Sequence, residues 1–154
     1  MPNALDNGGL YSQFSDFSNQ YIYTEQYGSI CNSYKNHCIG CQYDCGKQFD
    51  EYFNGKRKCF KLSLNLNGTD FQKKVWTAVA EIPYGETSTY VKISERIGNR
   101  KAARSVGNAL SHNPACIVMP CHRVIKSNGD ISGYNGGVWR KKWLLAHEEK
   151  NKDI

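Results

Sequence analysis

The stretch Asn113–Ile125 limits the fold more than any other part of the chain. Ile117 to Met119 form an apolar run that meets Pro120. The proline ring fixes its own backbone angle and biases the preceding Met119 to an extended shape. Cys121 is therefore expected on a stiff, extended corner, followed at once by an imidazole, His122, and a permanent cation, Arg123. A thiol reacts as its thiolate, and a nearby cation or base favours that form. A lone cysteine is more often a buried structural residue. A cysteine on a Pro-Cys-His-Arg corner reads instead as a reactive thiol.

The rest of the chain supplies the frame. Residues 1–20 are rich in Asn, Ser, Gly and Asp without periodicity and read as a disordered tail. Residues 21–67 read as a small N-terminal domain: a strand over Tyr21–Tyr27, a helix over Lys47–Phe53 beginning upstream and stopped by Asn54-Gly55, then an extended segment. In that segment, Phe60 to Leu66, apolar and polar residues alternate, which predicts one buried face. Residues 68–154 begin with Thr69-Asp70-Phe71-Gln72, a capping-box pattern. The helix it starts places Phe71, Val75, Val79 and Ile82 on one face and ends at Pro83-Tyr84-Gly85. Two short helices follow, Ser88–Ile97 closed by Gly98 and Arg100–Ser111, which together suggest a helix-turn-helix. After the corner come a turn at Ser127-Asn128-Gly129-Asp130, a glycine-rich loop over 132–137, and a final helix, Val138–Glu149, anchored by Trp139, Trp143 and Leu144. The fold class is α+β, a small N-terminal α/β region before a mostly helical C-terminal domain.

Charge and cysteine usage narrow the class. The net charge is +6, yet residues 71–154 alone hold 14 Lys/Arg against 7 Asp/Glu. The excess cation sits in the half that carries the corner, which suits a polyanionic partner, nucleic acid above all, though ordinary solubilising charge would look similar. Seven cysteines is an odd number and argues for a reducing, intracellular setting, cytoplasm or nucleus. No apolar stretch is long enough for a membrane span, and no secretory signal is expected. Cys31, Cys38, Cys41 and Cys45 cluster, and Cys38-x-x-Cys41 has zinc-like spacing. A helix running through Cys41 and Cys45 would set those two on one face, and inert thiols are the competing reading.

The second short helix has an unusual surface. Ala102, Ala103, Ser105, Gly107 and Asn108 surround Arg104. A glycine within a helix costs about 1 kcal/mol against alanine, so Gly107 suggests that another backbone comes close. Tight helix packing explains the small residues equally well but not the arginine among them.

Pro120-Cys121-His122-Arg123-Val124 resembles the active-site motif of the O6-alkylguanine-DNA alkyltransferases. The similarity extends from about Tyr52 to Glu148. It takes in Gly68-Thr69-Asp70-Phe71-Gln72, Ile82-Pro83-Tyr84-Gly85-Glu86-Thr87, Lys101-Ala102-Ala103-Arg104-Ser105-Val106-Gly107 and Trp143-Leu144-Leu145-Ala146-His147-Glu148. The resemblance implies a repair protein that flips O6-alkylguanine from double-stranded DNA and moves the alkyl group irreversibly to Cys121. It implies His122 as a base acting through a water, Glu148 as its orienting carboxylate, Asn113 as a brace of the turn, and Tyr90 as a donor to the guanine. Substrate contacts would come from Val124, Tyr134, Asn135, Gly136 and Lys141. Asn135 stands where the family often has a small hydroxyl residue, which implies a tighter pocket. The second helix would enter the minor groove, with Arg104 replacing the flipped base and Ala103, Gly107, Asn99 and Val91 as further DNA contacts. His112 and His147 have no matching role and read as structural or surface residues. No cofactor is required, a structural zinc aside, and a monomer without membrane attachment is expected.

Two other classes compete. A non-catalytic relative could bind the lesion and flag it, although such relatives replace the nucleophile. A helix-turn-helix regulator with a redox cysteine would be a dimer reading the major groove. Alkyl transfer to Cys121 separates the first reading from both.

Overall fold

The computed structural model describes residues 45–62, 64 and 66–153. The expected tail, the strand over Tyr21–Tyr27, and Cys31, Cys38 and Cys41 lie outside them. Contacts divide the chain into two compact units between residue 63 and Leu64.

In the first unit, helix α1 spans Cys45–Phe53, beginning upstream of Lys47 as the sequence suggests. Phe49 and Tyr52, three residues apart and so on one face, are both buried and pack on Phe60 at ring-centroid distances of 4.9 and 5.4 Å. Gln48 uses its amide as a strand would use its backbone, donating to the Lys61 carbonyl at 3.1 Å and accepting from the Lys61 N–H at 2.7 Å. The expectation of one buried face along Phe60–Leu66 fails. Phe60, Leu62 and Leu66 are half-buried, Leu64 is exposed, and no regular strand forms among the described residues of this stretch.

The second unit is α+β. Helix α2, Asp70–Ala80, starts on the capping box: Thr69 Oγ1 accepts from the Gln72 N–H, and Gln72 Oε1 accepts from the Thr69 N–H. Its buried face is Val75, Trp76, Ala78 and Val79, while Phe71 is only half-buried. Trp76 enters the core and donates its indole N–H to the Ala109 carbonyl at 3.0 Å. Strand β1 is Ser88–Thr89, helix α3 is Tyr90–Arg96 and helix α4 is Ala103–Ser111. A 3-10 turn occupies Cys121–Arg123 and leads into strand β2, Val124–Ile125; helix α5 spans Val138–Asn151. Helices α2 and α3 both pack on α4, and the core gathers Val75, Val79, Ile93, Val106 and Leu144.

Two helix starts differ from expectation. Ser88 and Thr89 are extended and pair in parallel with Val124 and Ile125. Thr89 has β geometry and caps α3, its hydroxyl accepting from the Lys92 N–H, so the helix begins at Tyr90, two residues later than expected. Asn99 to Ala102 form a turn closed by Ala102 N–H to Asn99 O at 3.0 Å, which delays α4 to Ala103. Between them Gly98 ends α3 with φ +78, its N–H reaching Glu95 O while the Asn99 N–H reaches Ser94 O. This paired closure needs a left-handed residue and explains the glycine. Among the described residues, no helix is long and apolar enough to cross a membrane.

In α5 the buried residues are Lys141, Leu144 and Glu148. Trp143 is half-buried, its ring stacked on His147 at 4.8 Å. Trp139, expected as an anchor, is 49% exposed and lies under the Arg140 guanidinium, because its place on the helix is outside the 141–144–148 stripe.

Candidate active site

The corner is built from two tight turns rather than an extended run. Ile117, a β-branched residue, has φ +74, a conformation that costs on the order of 1–3 kcal/mol. It reverses the chain so that Cys116 and Met119 bridge. Pro120, at φ −79 and ψ 61, then makes an inverse γ-turn, closed by the Cys121 N–H on Met119 O at 2.7 Å. Asn113, fully buried, holds both arms: its Nδ2 donates to Met119 O at 2.8 Å, and its Oδ1 accepts from the Ala115 N–H at 3.0 Å. Cys121 thus opens a 3-10 turn and not the extended segment expected.

Cys121 lies at one wall of a cavity of about 490 Å³, which Tyr90, Gly107, Ser111, Cys116, Tyr134 and Asn135 also line. That volume suits a small organic ligand. The Cys116 and Cys121 sulfurs are 4.0 Å apart. The thiol of Cys116 favours a thiolate at Cys121, which lowers the Cys121 pKa against the opposing effect of burial; the Asn113 side chain and the Lys141 charge act in the same direction. The Cys116 pKa is raised, chiefly through its bond to Cys121 and by burial.

His122 and Glu148 face each other across 2.8 Å, Nε2 to Oε1, both fully buried. Arg123 grips the same carboxylate with two donors, Nε to Oε2 at 2.8 Å and an Nη to Oε1 at 3.0 Å. The Gly85 N–H adds a fourth donor at 3.2 Å. Burial works against this carboxylate's charge, but the His122 and Arg123 bonds outweigh it and hold the Glu148 pKa well below the usual carboxylate range. An ionised carboxylate only accepts, so His122 Nε2 must carry the proton it donates. Burial lowers the His122 pKa and keeps the ring neutral. Nδ1 is therefore left with a lone pair, and it has no partner among the described residues. Such an atom can take a proton.

The cation beside the thiol was expected to be Arg123; the structure gives that place to Lys141. Arg123 turns away to Glu148, to the Ile82 carbonyl at 2.6 Å, and to the Tyr84 ring. The fully buried Lys141 ammonium donates to Val124 O at 2.6 Å and to Ser132 O at 3.1 Å. Burial brings its pKa down to about 8, with the Cys121 charge pulling the other way. Tyr90 Oη donates to Ser132 O at 3.4 Å. Its pKa is raised by burial and then by Cys121, so its proton is retained.

Of the expected substrate contacts, Tyr134 and Asn135 line the cavity, and the Asn135 amide donates to Ser111 O, pinning the loop to α4. Val124, Gly136 and Lys141 stand behind the wall. The Val124 carbonyl accepts from Lys141 with one of its two lone pairs, and the Gly136 carbonyl accepts from Arg140. Arg104 is exposed and makes no side-chain hydrogen bond or ion pair among the described residues; it sits one turn before Gly107 on the helix face leading to the cavity. Val91 and Asn99 are exposed and Ala103 is half-buried. Among the described residues outside its own helix, a Cβ at Gly107 would meet only the Tyr90 ring, at 3.7 Å, so no second backbone there accounts for the glycine. The sequence pointed to no site role for Gly85 or Cys116, and it placed Arg123 beside the thiol and not on Glu148. The Arg123 cation was visible, but its direction depended on a turn that propensity does not show. His112 is exposed and His147 half-buried.

The family model described as "6-O-methylguanine DNA methyltransferase, DNA binding domain" matches residues 70–150. A methylated-DNA–protein-cysteine methyltransferase of Methanosarcina barkeri is 50% identical over 108 residues, 70% of this chain and 68% of the relative. The crystal structure of Mycobacterium tuberculosis O6-methylguanine methyltransferase superposes with a TM-score of 0.66 at 48% identity, covering 68% of this chain and 64% of that one. A Mycobacterium tuberculosis OGT structure in complex with DNA gives a TM-score of 0.67 at the same identity and coverage. The chain thus spans slightly under two thirds of the length of these solved structures.

Proposed function

The chain belongs to the O6-methylguanine-DNA methyltransferase family, and we propose that it repairs DNA by moving the alkyl group of O6-alkylguanine onto Cys121. The observation that carries this reading is a thiol favoured as thiolate at a cavity wall, next to a neutral histidine with one bare nitrogen.

In this mechanism the Cys121 thiolate attacks the alkyl carbon bound to guanine O6. A sulfur–carbon bond forms, the carbon–oxygen bond breaks, and the electron pair stays on the base. His122 Nδ1 receives the thiol proton through a water, because the geometry provides no direct bond between the two residues. Glu148 and Arg123 are positioning residues: they fix which imidazole nitrogen bears the proton. Tyr90, kept protonated, donates to the departing guanine, the role of a donor aimed at developing negative charge. The displacement balances without an added electron carrier, so no cofactor is assigned. The thioether has no return path in this site, which makes the protein a single-use reagent.

Helices α3 and α4 act as the helix-turn-helix. Small residues Ala103 and Gly107 let α4 lie against the minor groove, with Asn99 and Val91 at its margin. The free Arg104 fills the stack when the base swings into the cavity. The carbonyls of Cys121 and Val124 accept from the guanine amino group; Lys141 takes one lone pair of the Val124 oxygen and leaves the other. The protein works as a monomer, intracellularly, where the DNA is. The zinc reading for Cys31, Cys38, Cys41 and Cys45 rests on spacing alone.

The test is intact mass after mixing with a duplex containing O6-methylguanine, wild type beside Cys121→Ala. The expected result is one methyl on the wild type, mapped to Cys121, and none on the variant. Lesion binding with no mass change in the wild type would overturn the reading.

A further inference from the structure

We propose that Cys116 is a resolving thiol: when a hydroperoxide oxidises Cys121, Cys116 closes a disulfide onto it and preserves the nucleophile in a form that thiols restore. The chemistry stands on the geometry of the two sulfurs; only its benefit to repair rests on the function proposed above.

The sulfurs are 4.0 Å apart, and both residues line the same cavity. The approach is built into the backbone. The left-handed Ile117 and the Cys116–Met119 bridge fold the chain back, so residues five apart in sequence present their side chains to one another. A disulfide needs the sulfurs to close to about 2.05 Å, a movement that side-chain rotation and small shifts of a tight turn can supply. The cavity opens a path for a molecule as small as hydrogen peroxide. Cys116 and Cys121 are both free thiols.

The steps balance. The Cys121 thiolate attacks one peroxide oxygen, the O–O bond breaks, hydroxide leaves, and the sulfur becomes a sulfenic acid, oxidised by two electrons. The thiol of Cys116 then attacks that sulfur. An S–S bond forms, the S–O bond breaks, and water leaves with the thiol proton. The bond to the Cys121 thiolate is the chief cause that keeps Cys116 protonated, and it disappears once Cys121 is a neutral sulfenic acid. A dithiol reductant reverses the state, becoming a disulfide while both cysteines regain their thiols. Without Cys116 the sulfenic acid proceeds to sulfinic and sulfonic acids, which thiols do not reduce.

The experiment exposes full-length protein to hydrogen peroxide until equal fractions of Cys121 are lost in wild type, Cys116→Ser and Cys116→Ala. Peptide mass mapping without reductant follows, then dithiothreitol and an alkyl-transfer assay scaled to each protein's untreated activity. The wild type is expected to show a Cys116–Cys121 crosslink and to recover at least about tenfold more of its lost activity than either variant. The variants are expected to carry sulfinic or sulfonic acid at Cys121. Overturning results are Cys121 joined to a different cysteine, no crosslink in the wild type, or equal recovery in all three proteins. The mass readout needs no activity, so it decides the inference even if the alkyl-transfer reading fails.

Discussion

Replacing Glu148 by glutamine tests whether the buried carboxylate is the keystone of the site. Four donors converge on its two oxygens: His122 and one Arg123 nitrogen on Oε1, the other Arg123 nitrogen and the Gly85 N–H on Oε2. An amide keeps one oxygen and turns the other into a donor; with its nitrogen at the Oε1 position His122 can change tautomer and accept, and one Arg123 nitrogen meets N–H instead of O. A charge-assisted bond is worth about 1.5–3 kcal/mol, so the lost bond supplies part of the cost. Breaking a buried ion pair by deleting one partner costs about 3–5 kcal/mol in all, and the stranded cation sets that total. The Arg123 guanidinium, 6% exposed, is left without a counter-charge. We expect urea unfolding at neutral pH to show Glu148→Gln less stable by about 3–5 kcal/mol, with Glu149→Gln as an exposed control within about 0.5 kcal/mol. Adding Arg123→Met to Glu148→Gln removes the stranded cation and should return at least about 1 kcal/mol. A loss below about 1 kcal/mol for Glu148→Gln, or no recovery in the double variant, would refute the reasoning.

The remaining predictions are narrower. His122 is buried neutral, so its folded pKa lies below its unfolded value. The unfolded chain then binds the extra proton, and stability falls as pH drops below the unfolded histidine pKa of about 6.5. Glu148, whose folded pKa is depressed, adds its own loss below about 4.3. Unfolding curves from pH 7.5 to 5 should show the first slope, and His122→Asn should flatten it. Arg104→Ala should slow alkyl transfer from duplex DNA at least about tenfold while moving the thermal midpoint by no more than about 2 °C, because the side chain is exposed and holds nothing in the fold. Equal slowing on free O6-methylguanine would place Arg104 in the chemistry instead. Gly68→Ala would set a Cβ 2.6 Å from the Trp76 ring, and the resulting overpacking should cost about 1–3 kcal/mol by denaturant unfolding.

The sequence made the helices of the second unit legible where local chemistry closes on itself. The Thr69–Gln72 box caps α2 through side chains three residues apart, and Gly98 ends α3 because that closure needs a positive φ. Cys121 and His122 could be picked out because the corner motif is a local signal, whereas Glu148 came only with the family resemblance. What escaped depends on partners far along the chain. Ser88 and Thr89 became a strand because Val124 and Ile125 offered them a parallel edge. Arg123 found Glu148 25 residues away, and Lys141 took the place beside the thiol. A left-handed Ile117 runs against its own propensity, and nothing in the apolar run announces it.

The carboxylate of Glu148 also sets the order of events during synthesis. Its partners lie 25 to 63 residues earlier in the chain, so Cys121 and His122 leave the ribosome before the group that orients the imidazole exists. Until α5 emerges and docks, His122 has no fixed tautomer and Arg123 no anion. In the proposed mechanism, a nascent chain halted before Glu148 would carry the Cys121 thiol without an oriented His122 to take its proton. If Cys121 is used only once, as proposed, maturation and arming are a single event.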